Sequence, residues 1–218
     1  MFDRIAAHYD QLNRVISLGL DRRWRRALCR AVLEVSARPV QRVLDLATGT
    51  GDVALALREE GVGQVVGVDP SVKMLRVAAG KHALPLVCGV GEQLPLASDS
   101  VDASVIAFGI RNVRDRARTL SELRRVTRPG GAVAVLELSQ PAGGGLVARA
   151  ARLHMTRVVP LLGRAISRGA AYAYLPQSIA RFPAPEEFAA AMGEAGLQAV
   201  QVRPLTFGAA SLFVARSP

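Results

Sequence analysis

The sequence of 218 residues has little of several features that would mark particular classes of protein. Its only cysteines, Cys29 and Cys88, lie in apolar surroundings without metal-ligand spacing, so both are predicted to be small buried groups. No apolar run approaches the ~20 residues that a membrane-spanning helix needs. The opening stretch, MFDRIAAHYD, carries mixed charge and is unlike a secretory signal. These absences predict a cytoplasmic protein.

Lysine and aromatic residues are also scarce. Lys73 and Lys81 are the only lysines among 28 basic residues, the formal net charge is +10, and aromatic residues make up 5% of the chain. Surfaces that bind single-stranded nucleic acid combine clustered cations with aromatic side chains, whereas these arginines are spread along the whole chain. We therefore expect no nucleic-acid partner, and an RNA-binding protein or RNA methyltransferase stays a distant alternative.

The chain is long enough for one domain, and half of its residues are hydrophobic, which excludes wholesale disorder. Short apolar runs alternate with helical patterns from residue 42 onward, which predicts a parallel sheet covered on both faces. The predicted strands are 42–46, 64–68, 84–88, 101–107 and 132–138, and the predicted helices are 51–60, 71–79 and 116–126.

The two ends of the chain depart from this alternation. Residues 1–36 are predicted to form a helical cap, and residues 143–182 a helical insert or lid after the fifth strand. A helix over 185–194 precedes strands at 197–203 and 211–215, which a short connection makes antiparallel neighbours. The sequence therefore predicts a single α/β domain over 1–218, with a doubly wound, mostly parallel sheet and an antiparallel last strand.

A glycine-rich turn follows the first predicted strand. The segment VLDLATGTGD at 43–52 places Gly49, Thr50 and Gly51 at the start of a helix, where a ligand can approach the backbone and free N–H groups. With Ala54 the segment also satisfies the G-x-G-x-x-A pattern of nicotinamide-binding proteins, and a tight turn without a ligand is a further alternative.

Two acidic residues, Asp69 and Asp45, restrict the class of ligand that this site could bind. Asp69, before Pro70 at the end of the second strand, can accept hydrogen bonds from both hydroxyls of an adenosine ribose. Asp45 would repel a pyrophosphate but could accept from a ligand ammonium group. Together with the terminal antiparallel hairpin, which the dinucleotide fold does not have, these acids predict a class I methyltransferase fold that binds S-adenosylmethionine.

Four stretches of the chain are more distinctive. They are YDQLN at 9–13 followed by Ser17 and Trp24, AFGIRNV at 107–113, RVTRPGG at 125–131 with ELS at 137–139, and YAYLP at 172–176 with RFP at 181–183. These motifs resemble those of the ubiquinone/menaquinone biosynthesis C-methyltransferases, the UbiE type, and the resemblance spans almost the whole chain.

The resemblance implies S-adenosylmethionine-dependent methylation of a ring carbon in a prenylated quinol. The expected reaction converts demethylmenaquinol to menaquinol and releases S-adenosylhomocysteine, without a metal. The alternatives are a ubiquinone precursor, another small-molecule acceptor such as a sterol or an amine, and, last, a nicotinamide-dependent dehydrogenase. Fold alone cannot assign the acceptor.

The sequence departs from the family pattern at three positions. Many members have Asp or Asn followed by Ala before Glu-x-Leu-Pro, where this chain has Val90 and Gly91, so backbone groups there would have to hold the adenine. Ala107, a candidate cofactor-binding residue at the end of the fourth strand, stands where a Ser is sometimes found before Phe-Gly. Asp21 stands where the family usually has His, three residues before Trp24.

The candidate catalytic residues come from the same motifs and from the insert. Arg111 could stabilise a quinolate and Asn112 could orient a hydroxyl, although Arg111 could also be a plain surface cation. His154 could serve as the base, or be a structural histidine in an apolar helix. Tyr172 could donate to a quinol oxygen, or be a core aromatic. The three histidines, at 8, 82 and 154, show no metal-ligand spacing.

The insert also suggests a membrane contact. Residues 146–166 alternate apolar side chains with arginines, a pattern typical of basic amphipathic helices at anionic interfaces. We expect peripheral association with the inner face of the cytoplasmic membrane, or a lid packed on the catalytic domain. The sequence indicates no oligomeric state.

Overall fold

The computed structural model describes residues 14, 17–139 and 175–218. Its strands are β1 (Arg42–Leu46), β2 (Gln64–Asp69), β3 (Leu86–Cys88), β4 (Val101–Ala107), β5 (Thr127–Leu138), β6 (Gln198–Leu205) and β7 (Ala210–Arg216). Its helices are α1 (Leu20–Val35), α2 (Asp52–Glu59), α3 (Val72–Lys81), α4 (Arg116–Val126), α5 (Leu175–Ala180) and α6 (Pro185–Glu194), with a 3₁₀ turn at Ile110–Asn112.

The strands form one sheet in the order β3-β2-β1-β4-β5-β7-β6. β1 to β5 are parallel, and β7 runs antiparallel between β5 and β6. This confirms the predicted doubly wound, mostly parallel sheet with a terminal antiparallel hairpin. The carboxyl ends of β1, β2 and β4 therefore lie at one edge of the sheet, where such folds bind their ligands.

The predicted strands and helices from residue 42 onward agree with the structure within two residues at each boundary, except at the start of β5. β3 begins at Leu86 rather than at 84, and Pro85, which precedes it, has no N–H to donate to a ladder. β5 begins at Thr127 rather than at 132, because a bulge keeps this segment paired with Val101. Gly131 permits that pairing, since a Cβ there would lie 2.3 Å from the carbonyl oxygen of Asp102.

The core consists of two apolar layers, one on each face of the sheet. α1 and α2 cover one face, where Trp24, Leu28 and Val32 are buried. α4 and α6 cover the other face, with Phe188 and Phe213 at its centre. The amphipathic pattern of α1 thus places Arg22, Arg23, Arg26 and Arg30 on the outside and its apolar stripe on the sheet, whereas Arg25 is buried.

The two cysteines differ in environment. Cys29 is buried, as predicted, and burial raises the pKa of its thiol to about 12. The prediction for Cys88 was wrong, because the short strand β3 lies at the edge of the sheet and leaves this residue exposed.

The predicted cap and insert fall only partly within the described residues. The cap is described from residue 17 on, apart from Arg14, and the insert only from residue 175, where α5 begins. The domain boundaries therefore stay a prediction. In the ranges 17–139 and 175–218, no helix is long and apolar enough to cross a bilayer.

Candidate functional site

A cavity of about 470 Å³ opens at the carboxyl edge of β1, β2 and β4. Its volume lies in the range typical of small-molecule sites. The lining residues follow the ends of these strands: Leu46, Ala47 and Gly49; Asp69, Pro70 and Met74; Val90, Gly91 and Glu92; Ile106, Ala107, Phe108 and Gly109; and Asn112, Val113 and Arg114.

The loop after β1 takes an unusual backbone path around this cavity. Gly49 and Gly51 have φ values of 57° and 87°, a region that favours glycine, and Ala47 shares it at 55°. Asp69 holds the loop, since its Oδ2 accepts from the backbone N–H of Gly49 at 2.9 Å. The glycine turn and the ribose-binding acid predicted from the sequence are therefore in direct contact.

Asp69 is itself held by the start of α3. Its Oδ1 accepts from the backbone N–H of Ser71 at 2.8 Å, and the Ser71 hydroxyl caps α3 by accepting from Met74 N–H at 3.2 Å. A carboxylate has about four acceptor positions, so these bonds orient the side chain while it lines the cavity. Ser71 is the helix cap, as predicted, and Asp69 belongs to the cavity.

Asp45 lies beside the loop but not in the cavity lining. It is buried and faces α1 and α2, and its Oδ2 accepts from the Thr48 hydroxyl at 2.6 Å. Burial raises the pKa of Asp45 to about 7, against the lowering effects of that bond and of the nearby Arg25. Among the described residues its Oδ1 has no hydrogen-bond partner. Asp45 is thus a buried acceptor that a cationic group would satisfy.

A buried cation on α1, Arg25, lies on the same side of the site as Asp45. The Arg25 guanidinium pairs with Asp21 and lies 3.4 Å from the Asp52 carboxylate at the start of α2. It also stands over the Phe108 ring, 5.7 Å from the centroid, a cation–π geometry. Asp21, in the position of the usual histidine, therefore serves as the partner of Arg25.

Phe108 connects α1 to the loop after β4. Its ring centroid lies 6.2 Å from that of Trp24, and its φ of 57° places it in the left-handed region. The next residue, Gly109, packs so closely that a Cβ there would lie 2.6 Å from the Ala47 Cβ. Two strained loops thus meet at the cavity, a form of strain that clusters at functional sites.

The Arg111 side chain is not part of the cavity lining, although Gly109 and Asn112 on either side of it are, and it reaches Glu137 near the end of β5. Its Nη1 donates to the Phe108 carbonyl at 3.0 Å and pairs with Glu137. The two side chains are 6% and 0% exposed. Glu137 also accepts from the backbone N–H of Leu138 at 2.8 Å, which fixes the carboxylate. The interpretation of Arg111 as a surface cation is therefore wrong, because the residue belongs to a buried ion pair.

The far end of the cavity lies at Val90 and Gly91. The Val90 side chain is 46% exposed, and a Cβ at Gly91 would lie 2.8 Å from Thr119 Cγ2. Glu92 reaches across to the loop after β4, where its Oε1 accepts from the backbone N–H of Arg114 at 2.7 Å. Glu92 therefore ties this end of the cavity to the loop after β4.

The structure gathers most of the predicted site residues. Seven line the cavity: Gly49, Asp69, Pro70, Val90, Gly91, Ala107 and Asn112. Four others border it without lining it: Asp45, Thr50, Gly51 and Arg111. His154 and Tyr172 lie outside the described residues, so their roles stay predictions.

The prediction missed the partners that hold the site together. Phe108, Glu92 and Glu137 were noted only as parts of motifs, and Arg25 was not singled out. A charged residue inside an apolar strand, as Glu137 is in VAVLEL, is the one signal that could have found a partner of Arg111.

Comparison with known proteins places this arrangement in a family. The model of the ubiE/COQ5 methyltransferase family matches residues 1–216. A protein of Syntrophotalea carbinolica named ubiquinone/menaquinone biosynthesis C-methyltransferase UbiE is 47% identical, over 98% of this chain and 91% of its own. A demethylmenaquinone methyltransferase of Thermus thermophilus is 45% identical over 100% of both chains.

The fold has solved counterparts at lower identity. A chain from the complex between the Haloferax volcanii Trm112 methyltransferase activator and its methyltransferase superposes with a TM-score of 0.72 at 21% identity, over 100% of this chain and 98% of that one. This likeness supports the class I methyltransferase fold. With the family model covering nearly every residue, this chain belongs to the ubiE/COQ5 methyltransferase family and is a methyltransferase.

Proposed function

We propose that this enzyme transfers the methyl group of S-adenosylmethionine to a ring carbon of a prenylated quinol, converting demethylmenaquinol to menaquinol. The observation that carries the proposal is the 45% identity, over both full lengths, to a protein named demethylmenaquinone methyltransferase. The cavity supports it, since Gly49 of the glycine turn and Asp69 line it at the strand ends where a nucleoside ligand would lie.

The site residues fit this cofactor. Asp69 would accept from the ribose hydroxyls, and the backbone at Val90 and Gly91 would border the adenine. Asp45 is a buried carboxylate with an unpartnered oxygen among the described residues, which suits the ammonium of the methionine end. When bound, S-adenosylmethionine supplies a methyl group on a positively charged sulfur, already activated for transfer.

The protein then has to align and activate the acceptor. A new carbon–carbon bond forms at the ring as the methyl–sulfur bond breaks, the sulfur keeps that electron pair, and the ring carbon afterwards loses its proton. Loss of a proton from a neighbouring hydroxyl makes this ring carbon nucleophilic, and a nearby cation favours that loss. We assign the cation to Arg111 and the orientation of the hydroxyl to Asn112, which lines the cavity.

Glu137 fixes the position of the Arg111 guanidinium. The buried carboxylate holds one edge of the guanidinium, and the Phe108 carbonyl accepts from the same nitrogen. An arginine presents its N–H donors in a rigid fork, so pairing with a fixed carboxylate orients the whole guanidinium. The proposed role of Glu137 is therefore positional.

The test is methyl transfer with labelled S-adenosylmethionine to demethylmenaquinol and, in parallel, to the demethylated ubiquinone precursor. We expect turnover with demethylmenaquinol, loss of cofactor binding in Asp69→Ala, and unchanged binding in Glu59→Ala, an acid of α2 outside the cavity. Exclusive turnover of the ubiquinone precursor would overturn the assigned acceptor. No transfer to either quinol, with S-adenosylhomocysteine still bound, would overturn quinol methylation.

A further inference from the structure

We infer that the surface formed by the start of α1 and the β6–β7 turn docks on an anionic lipid bilayer. This rim consists of Leu18, Phe207 and the arginines of the adjoining groove. It differs from the predicted membrane contact of the insert at 146–166, which lies outside the described residues.

The rim presents the two most exposed large hydrophobic side chains of the described residues. Leu18 is 70% exposed and Phe207 is 71% exposed. Both have left-handed backbones, with φ values of 53° and 55°, although neither is a residue that favours this region. Such strain has to be offset elsewhere in the fold, and here it occurs at two exposed apolar residues.

One hydrogen bond joins the two parts of the rim. Trp24 Nε1 on α1 donates to Thr206 Oγ1 in the β6–β7 turn at 2.9 Å. Thr206 has a φ of 45°, so the turn contains three consecutive residues with positive φ, 206–208, and its first residue is bonded to α1. The apolar side chains therefore project from one connected surface.

The surface beside them is strongly basic. A groove of about 660 Å³ between α1 and the β6–β7 hairpin is lined by Arg22, Arg23, Arg26, Arg30 and Arg203, against the single acid Glu34. Within the described ranges, Arg22, Arg23 and Arg26 form no ion pair. Exposed apolar residues beside unpaired cations complement the headgroups and acyl boundary of an anionic bilayer.

The position of the rim agrees with the proposed function, on which this part of the argument rests. Leu138 pairs with Ala210, so the β6–β7 turn lies at the carboxyl edge of the sheet, the edge that carries the cavity. α1 starts at the same edge, where Trp24 contacts Phe108 of the cavity lining. Docking there would bring the cavity close to a prenylated acceptor in the bilayer.

Vesicle flotation of the full chain tests the inference. We expect binding to vesicles of phosphatidylcholine with 30% phosphatidylglycerol, weak binding to phosphatidylcholine alone, and weaker binding at 0.5 M than at 0.1 M KCl. Arg22→Gln/Arg26→Gln should lower the partition coefficient by roughly 25-fold, about fivefold per cation. Leu18→Ser/Phe207→Ser should lower it by at least roughly tenfold.

A matched pair controls for net charge. Arg38→Gln/Arg124→Gln removes the same charge from the opposite edge of the sheet, before β1 and at the end of α4, and should bind vesicles like the unchanged protein. An equal loss in this control would overturn the inference, because it would show that only net charge matters. Equal binding of Leu18→Ser/Phe207→Ser and the unchanged protein would overturn it as well.

A second measurement reports insertion directly. Phe207→Trp places an indole on the rim, while the native Trp24 is buried and 4% exposed. Its fluorescence should shift to the blue with anionic vesicles, and the absence of a shift would overturn the inference. RNA binding through Arg22 and Arg26 in place of vesicle binding would also overturn it. None of these measurements uses cofactor or quinol, so their failure leaves quinol methylation standing, whereas failure of methyl transfer would leave the docking result unchanged.

Discussion

The buried environment of Asp45 disfavours the ionised form of its carboxyl group. Burial raises the pKa of Asp45 from an ordinary 3.8 to about 7. Between pH 3.8 and pH 7 the Asp45 carboxyl is therefore protonated in the folded protein and ionised in the unfolded chain. The stability of the free enzyme attributable to this group is therefore present below pH 4 and falls as the pH rises to 7.

Asp45→Asn is expected to stabilise the free enzyme, because it removes the cost of a buried carboxylate. The gain in free energy of unfolding should be on the order of a few kcal/mol at pH 8 and smaller at pH 5. Urea unfolding at both pH values measures it, and binding of S-adenosylhomocysteine should weaken in the same variant. An equal gain at both pH values would contradict the titration of Asp45.

Glu137→Gln tests the buried pair with Arg111. It leaves the guanidinium without its counter-charge, so unfolding free energy should fall by about 3–5 kcal/mol and the transfer rate by roughly 10²-fold. The affinity for S-adenosylhomocysteine should hardly change, since Glu137 lies outside the cavity lining.

The double variant Arg111→Met/Glu137→Leu separates stability from catalysis. Apolar replacement of a buried ion pair is often neutral, so stability should return while transfer stays low. Recovery of transfer together with stability would refute a role of this pair in the reaction.

At the scale of elements, the site depends on two loops that touch. The loop after β1 and the loop after β4 meet at Ala47 and Gly109, where glycine alone allows the approach. Each loop also contains a non-glycine residue with positive φ, Ala47 or Phe108. The paired strands β1 and β4, which these loops follow, set the distance between the loops.

Gly109→Ala should push these loops apart. We expect a loss of about 1–3 kcal/mol in stability and a tenfold or greater loss in affinity for S-adenosylhomocysteine, measured by calorimetry. Gly80→Ala in α3 is the control, because a Cβ there meets nothing within 4 Å and alanine favours a helix. If Gly109→Ala bound the ligand normally, contact between the loops would not matter for binding.

At the scale of the whole molecule, the two cysteine thiols differ in how accessible they are to a reagent. Cys88 is exposed on the edge strand, whereas Cys29 lies in the layer between α1 and the sheet with its pKa raised to about 12. Labelling of Cys29 therefore requires α1 to leave the sheet.

Titration of the native protein with a thiol reagent at pH 8 should modify one cysteine at once. The second should react only under unfolding conditions, at a rate that follows global opening. Mass spectrometry of the labelled peptide should identify Cys88 as the fast site. Cys88→Ser removes the fast phase, and rapid labelling of Cys29 in that variant would show that α1 detaches readily.

Much of the fold could be predicted because its signals are local. Alternating apolar runs, the Ser71 cap and the glycines after β1 depend on residues a few positions apart. The same local motifs predict Gly49, Asp69 and Asn112 as site residues, and all three line the cavity.

Local patterns in the amino-acid order predict the succession of elements, the family motifs and the strand ends where the site lies, because backbone geometry and hydrophobic periodicity act over short distances. The complete fold is needed to pair Glu137 with Arg111, 26 residues away, and to place Cys88 on an exposed edge strand. It also joined Trp24 to Thr206 across 182 residues of the chain. Such contacts depend on which strands become neighbours, and neighbouring strands are chosen by the packing of the whole sheet.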